Sequence, residues 1–187
     1  MLAAVEAAFV DRFGHHPQRA SVSFVGAEPV EVLRFEPIPG ERAYITLGMS
    51  RHPMTGADAA VTSTDGPRAE LMLHLRDPAD EQADVWRRLA VLAAAPAVEG
   101  VVHRPGMSVD LGESLVAGSS CTGVLIVESG LPPVETPAGG VDVLQVLPAA
   151  STELAWCRVR GSDALRARWT EYGTDLLDLH RRAVALG

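Results

Sequence analysis

Lysine and asparagine are both missing from the 187 residues, and isoleucine occurs only at Ile38, Ile45 and Ile126. All three have A/T-rich codons, so the bias points to a GC-rich, bacterial genome and says nothing about activity. Without lysine there is no G-x-x-x-x-G-K-[ST] phosphate loop and no Schiff-base amine, which removes Walker-type nucleotide binding and imine chemistry. Two cysteines, Cys121 and Cys157, are too few for a disulfide framework and form no C-x-x-C pair. Long apolar runs are absent, and Val124-Leu-Ile-Val127 is only strand-sized, so no membrane span is expected. The first residues, Met1 to Glu6, lack a basic region and do not read as a signal peptide, so a soluble, cytoplasmic protein with reduced thiols is the expectation. Aromatic residues make up 5% of the chain, and Tyr44, Trp86, Trp156, Trp169 and Tyr172 are scattered at core-like positions. That is no stacking platform for single-stranded nucleic acid.

The charge is one-sided as well. Sixteen basic residues, all arginine, face twenty-four acidic ones for a net charge of −8, which argues against nucleic-acid or anionic-membrane binding. The one basic cluster, Arg158, Arg160, Arg166 and Arg168, reads as a solvated helix face.

What is present is a globular chain, 47% hydrophobic, of a length suited to a single domain over residues 1–187. Leu2, Val5, Phe9 and Phe13 recur at helical spacing before Gly14. Strands are predicted at 21–25, 30–35, 43–47, 70–75, 122–127 and 141–147. The apolar run at 70–75 is placed centrally, with both faces covered. Asp77-Pro-Ala-Asp80 starts a helix carrying Val85, Trp86, Leu89 and Leu92, which Pro96 is expected to end. Residues 55–67 read as an exposed loop. Ser151 is expected to cap a further helix, with a joint at Gly161-Ser162 and a short helix or extended tail beyond Gly173. Strands outnumber helices without regular alternation, so the fold class is α+β, a mixed, mostly antiparallel β-sheet flanked by helices.

Catalytic patterns fail one by one. Gly118-Ser-Ser-Cys-Thr-Gly123 is out of register for a nucleophile elbow, and its small residues read as the opening of a strand with Cys121 packed inside. The histidines His15, His16, His52, His74, His103 and His180 form no H-x-x-x-H or zinc-finger spacing, so no metal and no cofactor is expected. His74, inside an apolar strand, reads as a hydrogen-bonded core residue. His52 and His103 each precede a proline-marked turn and are able to meet in space, which is still short of a ligand set. Glu28, Glu31, Glu36, Glu41 and Glu70, on or beside strands, read mostly as a solvated face. The enzyme reading that survives is a small hydrolase or metal-dependent enzyme using His52, His103, Asp110 and Cys121.

Several segments, in order, resemble the Suppressor of fused domain family. They are Tyr44-Ile-Thr-Leu-Gly-Met-Ser50 with Pro53 and Met54, then Arg68-Ala-Glu-Leu-Met-Leu-His-Leu75, and the helix carrying Trp86. The turn His103-Arg-Pro-Gly106 with Gly112, the strand 122–127 leading to Pro132-Pro133, Leu144-Gln-Val-Leu-Pro148, and the helix carrying Glu153 and Leu154 complete the series. The resemblance spans about residues 30–173. It implies a Suppressor-of-fused-like α+β domain that binds protein and has no catalytic residues. Bacterial single-domain members resemble immunity proteins that neutralise a cognate toxin, and the acidic charge suits a basic one. The candidate contact surface is the turn Met49, Ser50, Arg51 and His52 with the turn bearing His103, Arg104, Met107 and Asp110, where Met and Arg are types enriched at interfaces. For Met49 and Met107 the competing reading is core filling.

Overall fold

The computed structural model describes residues 1–14, 16–57, 66–76 and 82–186. Among them are four α-helices, α1 (Leu2–Phe13), α2 (Gln82–Glu99), α3 (Ser151–Arg160) and α4 (Ser162–Glu171), and a 3-10 turn at Met49–Arg51. The strands are β1 (Gln18–Phe24), β2 (Ala27–Phe35), β3 (Glu41–Leu47), β4 (Ala69–Arg76), β5 (Ser108–Asp110), β6 (Cys121–Glu128), β7 (Val134–Thr136) and β8 (Gly139–Ala150). They form one sheet in the order β1-β2-β3-β4-β8-β6-β5, with β7 pairing on β8. Every pairing is antiparallel except β4 with β8, so the fold is α+β with a mixed, mostly antiparallel sheet, as expected.

Period-two alternation sorts the sheet into two faces. Tyr44, Leu71, Leu73, Leu75, Val124, Ile126, Leu144 and Val146 point to the side packed by Val85, Trp86, Leu89 and Ala93 of α2. Leu33, Ile45, Met72, Val141 and Val143 point the other way, onto Val5 and Phe9 of α1. Leu125, Val127 and Ala149 share a cluster with Leu154, Cys157, Leu165 and Trp169 of α3 and α4. Covered on both sides, β4 reads as a near-continuous apolar run and lies between β3 and β8.

Four departures from the sequence reading have local causes. The helix carrying Pro96 runs on to Glu99, because a side chain outside the helix supplies a donor that proline cannot (see below). Strand β8 passes through Pro148, whose partner Val124 lies on the β6 side. Its pairing with β4 ends by Val146, so the missing N–H deprives no neighbour. Ser151 is the first residue of α3, not its cap. The carboxylate of Glu153 accepts from the Ala150 amide at 2.8 Å and closes that helix end instead. Tyr172 is half-exposed and lies 5.2 Å beneath the Arg168 guanidinium, outside the core. The helix-start sequence Asp77–Asp80, His15 and most of the 55–67 loop lie outside the described residues.

From Thr174 to Leu186 the described chain is neither helix nor strand. It runs as a strap tied across the start of β6 and the end of β4. Ser119 and Ser120 donate their hydroxyls to the carbonyls of Leu179 and Arg181, and the Arg76 amide donates to Leu177 O. The strap's anchor is Glu153, which is fully buried. Its carboxylate accepts from both terminal nitrogens of Arg181 (2.8 and 2.7 Å), from Trp169 Nε1 (3.0 Å) and from the Val184 amide (2.8 Å). Arg181 also donates to Pro148 O, and its guanidinium lies 5.6 Å from the centre of the Trp169 ring. Burial opposes ionisation of Glu153, yet these donors win and hold its carboxyl below the usual range.

Candidate functional site: the turns at one end of the sheet

The strand directions bring the end of β3, the start of β4, the start of β8 and the end of β6 to one edge of the molecule. The turns leaving those strands meet there. Arg68 Nη1 donates to the carbonyls of Ser50 and Arg51 (2.8 and 2.7 Å), Met54 N donates to Pro67 O, and Asp142 N donates to Arg68 O. The 103–107 turn is tied to the same end by Gly106 N to Ile126 O and Ile126 N to Met107 O, both 2.8 Å.

Glu70 builds the first turn. Its Oε1 accepts from the amides of Gly48 (2.8 Å) and Ser50 (3.0 Å) and from the Ser50 hydroxyl (2.6 Å), while Oε2 accepts from Thr46 Oγ1 (2.7 Å). Thr46 Oγ1 in turn accepts from the Leu71 amide, so each hydroxyl has a settled direction. The carboxyl is fully buried among neutral donors, and burial outweighs their pull and pushes its pKa up. A glutamate expected on a solvated face is therefore the internal post of the turn. Gly48 suits the bend, since it sits at φ 136° and a Cβ there would lie 3.3 Å from Pro29 O.

The candidate contact residues separate by depth. Met49 and Ser50 are buried, Met49 in the α2-side core and Ser50 on Glu70. Arg51 is half-buried and donates from Nη1 to Pro29 O at 2.7 Å. His52 is exposed with Nε2 3.0 Å from Glu28 Oε2. In the second turn His103 is buried, with Nε2 2.8 Å from Leu92 O, and burial holds the ring below the usual histidine value. Arg104 is exposed, Met107 is half-buried against the core, and Asp110 is exposed on β5, accepting from the Gly112 amide at 3.0 Å. The outward groups of the two turns are thus Arg51, His52 and Arg104, held from within by Met49, Ser50 and His103.

Two grooves border these turns. One, of about 370 Å³, runs between the β1–β2 turn (Gly26–Glu28), Met49 and His52, and Ala93, Ala94 and Ala97 of α2. The other, of about 640 Å³, lies between Met54, His103, Arg104, the 128–132 turn and the start of β8. Sequence reasoning missed Glu70, Arg68 and the 128–132 turn. The signal for Glu70 was an ionisable residue entering an apolar strand that follows a Gly-x-Ser turn.

The enzyme constellation does not assemble. His52 pairs with Glu28, His103 with a backbone carbonyl and Asp110 with its own loop, while Cys121 is fully buried and burial raises its thiol pKa. Among the described residues no three His, Cys, Asp or Glu side chains are grouped to hold a metal ion. No helix among them is long and apolar enough to cross a membrane.

A model of the Suppressor of fused protein (SUFU) family matches residues 26–182. No protein with a curated description matches the chain by sequence. Among solved structures, a SUFU homolog from Neisseria gonorrhoeae superimposes with a TM-score of 0.71 at 18% identity, covering 99% of this chain and 97% of that one. A chain of the Sufu–Fu complex gives 0.69 at 14% identity over 97% of this chain and 89% of that one. Drosophila Suppressor of fused gives 0.68 at 15% identity, covering 97% of this chain but 50% of the fly protein. At these identities the neighbours establish the fold, and the family model, matching most of the sequence, establishes membership: the chain belongs to the Suppressor of fused protein family.

Proposed function

We propose that this chain is a non-enzymatic, single-domain protein-binding module over residues 1–187, acting in the bacterial cytoplasm as an immunity protein that neutralises a cognate toxin. Supporting this reading, the family's eukaryotic members are protein-interaction domains, and a structure of the same fold comes from a Sufu–Fu complex. The observation that carries the reading is the end of the sheet itself. Two turns there are fixed from within by buried polar groups, present Arg51, His52 and Arg104 outward, and border two grooves. Such pre-ordered turns lose little entropy on docking, which suits recognition of a folded partner. The proposed contact set is Arg51, His52, Arg104, Met107 and Asp110, with Met49, Ser50 and His103 as internal supports. Strand β1, an edge of the sheet, offers a second mode, the addition of an extended segment. The net charge of −8 favours a basic partner such as a nuclease-type toxin.

The test is co-expression with the toxic product of the neighbouring reading frame in a host that the toxin arrests. Restored growth together with a recoverable complex supports the proposal. Arrest that persists although both proteins are made overturns the immunity role.

A further inference from the structure

Proline has no amide hydrogen, so in a helix that continues past Pro96 the carbonyl four residues earlier, Leu92 O, loses its usual donor. Leu92 is buried, where a bare carbonyl is costly. His103 supplies the missing hydrogen, with its Nε2 2.8 Å from Leu92 O. A carbonyl only accepts, so the hydrogen sits on Nε2 and Nδ1 of the neutral ring carries the lone pair. Nδ1 is buried and has no hydrogen-bond partner among the described residues. A second proton must go to that nitrogen, creating an N–H without an acceptor and a charge removed from water.

The ring stands between the two grooves. The helix turn it ties down contributes Ala93, Ala94, Pro96 and Ala97 to one, and the ring itself lines the other. The charged groups around it are Glu99 on α2, Arg104 next in the chain, and Glu128 and Asp142 across the second groove. Burial is the dominant influence on the ring and disfavours the proton, against the opposite pulls of Leu92 O and Glu99.

We propose that His103 is an acid-released staple: through Leu92 O its neutral ring fastens the C-terminal part of α2 to the 100–107 loop, and protonation at Nδ1, which places a charge and an N–H without an acceptor in the interior, opens the loop so that the ring reaches water. The sign follows from linkage. A histidine depressed in the folded state contributes fully above its unfolded value, about 6.5, and loses that contribution as pH falls through the lower folded value. Both grooves change shape in the same step, because the staple is a wall of one and a fastening of the other.

The experiment is an NMR titration of the full chain with labelled histidine rings, paired with hydrogen exchange of residues 97–106 corrected for the intrinsic pH dependence. In the wild type, His103 is expected as the Nε2–H tautomer, with a midpoint below the ordinary histidine value, and with protection of 97–106 dropping at least tenfold across that same titration. His103→Gln keeps an N–H able to reach Leu92 O but takes no proton, so its protection stays level with pH. Pro96→Ala returns a helical donor to Leu92 O, so His103 still titrates while the helix end stays protected. An Nδ1–H tautomer, or an ordinary histidine titration, overturns the proposal. So does a tenfold acid loss of protection that persists in His103→Gln or Pro96→Ala.

Discussion

Replacing Glu70 with alanine removes the post around which the Gly48–Ser50 turn is built. Two buried amides, Gly48 and Ser50, lose their acceptor, at about 1–3 kcal/mol each. The Ser50 and Thr46 hydroxyls lose theirs as well, but each is able to rotate to another acceptor. Against this stands the relief of no longer burying a carboxyl group, which leaves a net loss of about 3 kcal/mol. For a chain of this size that lowers Tm by roughly 6–12 °C. Glu70→Gln keeps an acceptor oxygen for the turn amides and removes the titrating group, so its loss at pH 7 stays below about 1.5 kcal/mol. The pH dependence separates the two effects. Because the folded carboxyl titrates above its unfolded value, ionising it weakens the fold as pH rises from the unfolded value, near 4.5, through the folded one. The wild type therefore carries a penalty at neutral pH that Glu70→Gln lacks. Thermal melts followed by circular dichroism between pH 4 and pH 8 measure all three proteins. A Glu70→Ala protein melting within a degree or two of the wild type would refute the reasoning.

Other expectations follow from the same geometry. Arg181→Ala strands the Glu153 carboxylate in the interior and is expected to cost about 3–5 kcal/mol by urea unfolding. Since Glu153 is held below its usual pKa, the stability it gives is present above its unfolded value and lost on acidification below it, opposite in sign to Glu70. Gly48→Ala places a side chain at φ 136° against Pro29 O and is expected to cost about 1–3 kcal/mol in the same assay. Cys121 and Cys157, both buried with thiol pKa values pushed up, are expected to resist a thiol reagent in the native protein and react at once in denaturant.

The architecture was legible where one physical signal dominated. Leu2, Val5, Phe9 and Phe13 give α1 at its observed bounds, and the continuous run at 70–75 places β4 centrally because only a doubly covered strand tolerates it. Local rules failed where a distant group intervened. Pro96 reads as a stop until His103 donates to the carbonyl it strands, and Ser151 reads as a cap until Glu153 does that work. The site was legible as two turns but not as a surface. Nothing in the residue types of Met49, Ser50 or His103 says that they face inward, because that is decided by Glu70 and Leu92, which are distant in sequence. The strap beyond Gly173 reads equally as helix or tail, since its shape comes from Ser119, Ser120 and Glu153 rather than from its own sequence.

The central claim, that the turn end of the sheet is where a protein partner docks, is tested most directly by titrating the proposed partner, the toxic product of the neighbouring reading frame, into wild-type chain and into an Arg51→Ala, His52→Ala, Arg104→Ala triple variant. His52 and Arg104 are exposed and the His52–Glu28 pair is a surface one, so the variant is expected to keep its Tm within a few degrees. The account predicts that its affinity falls at least tenfold while the fold stays intact. An unchanged affinity in a folded triple variant would contradict it.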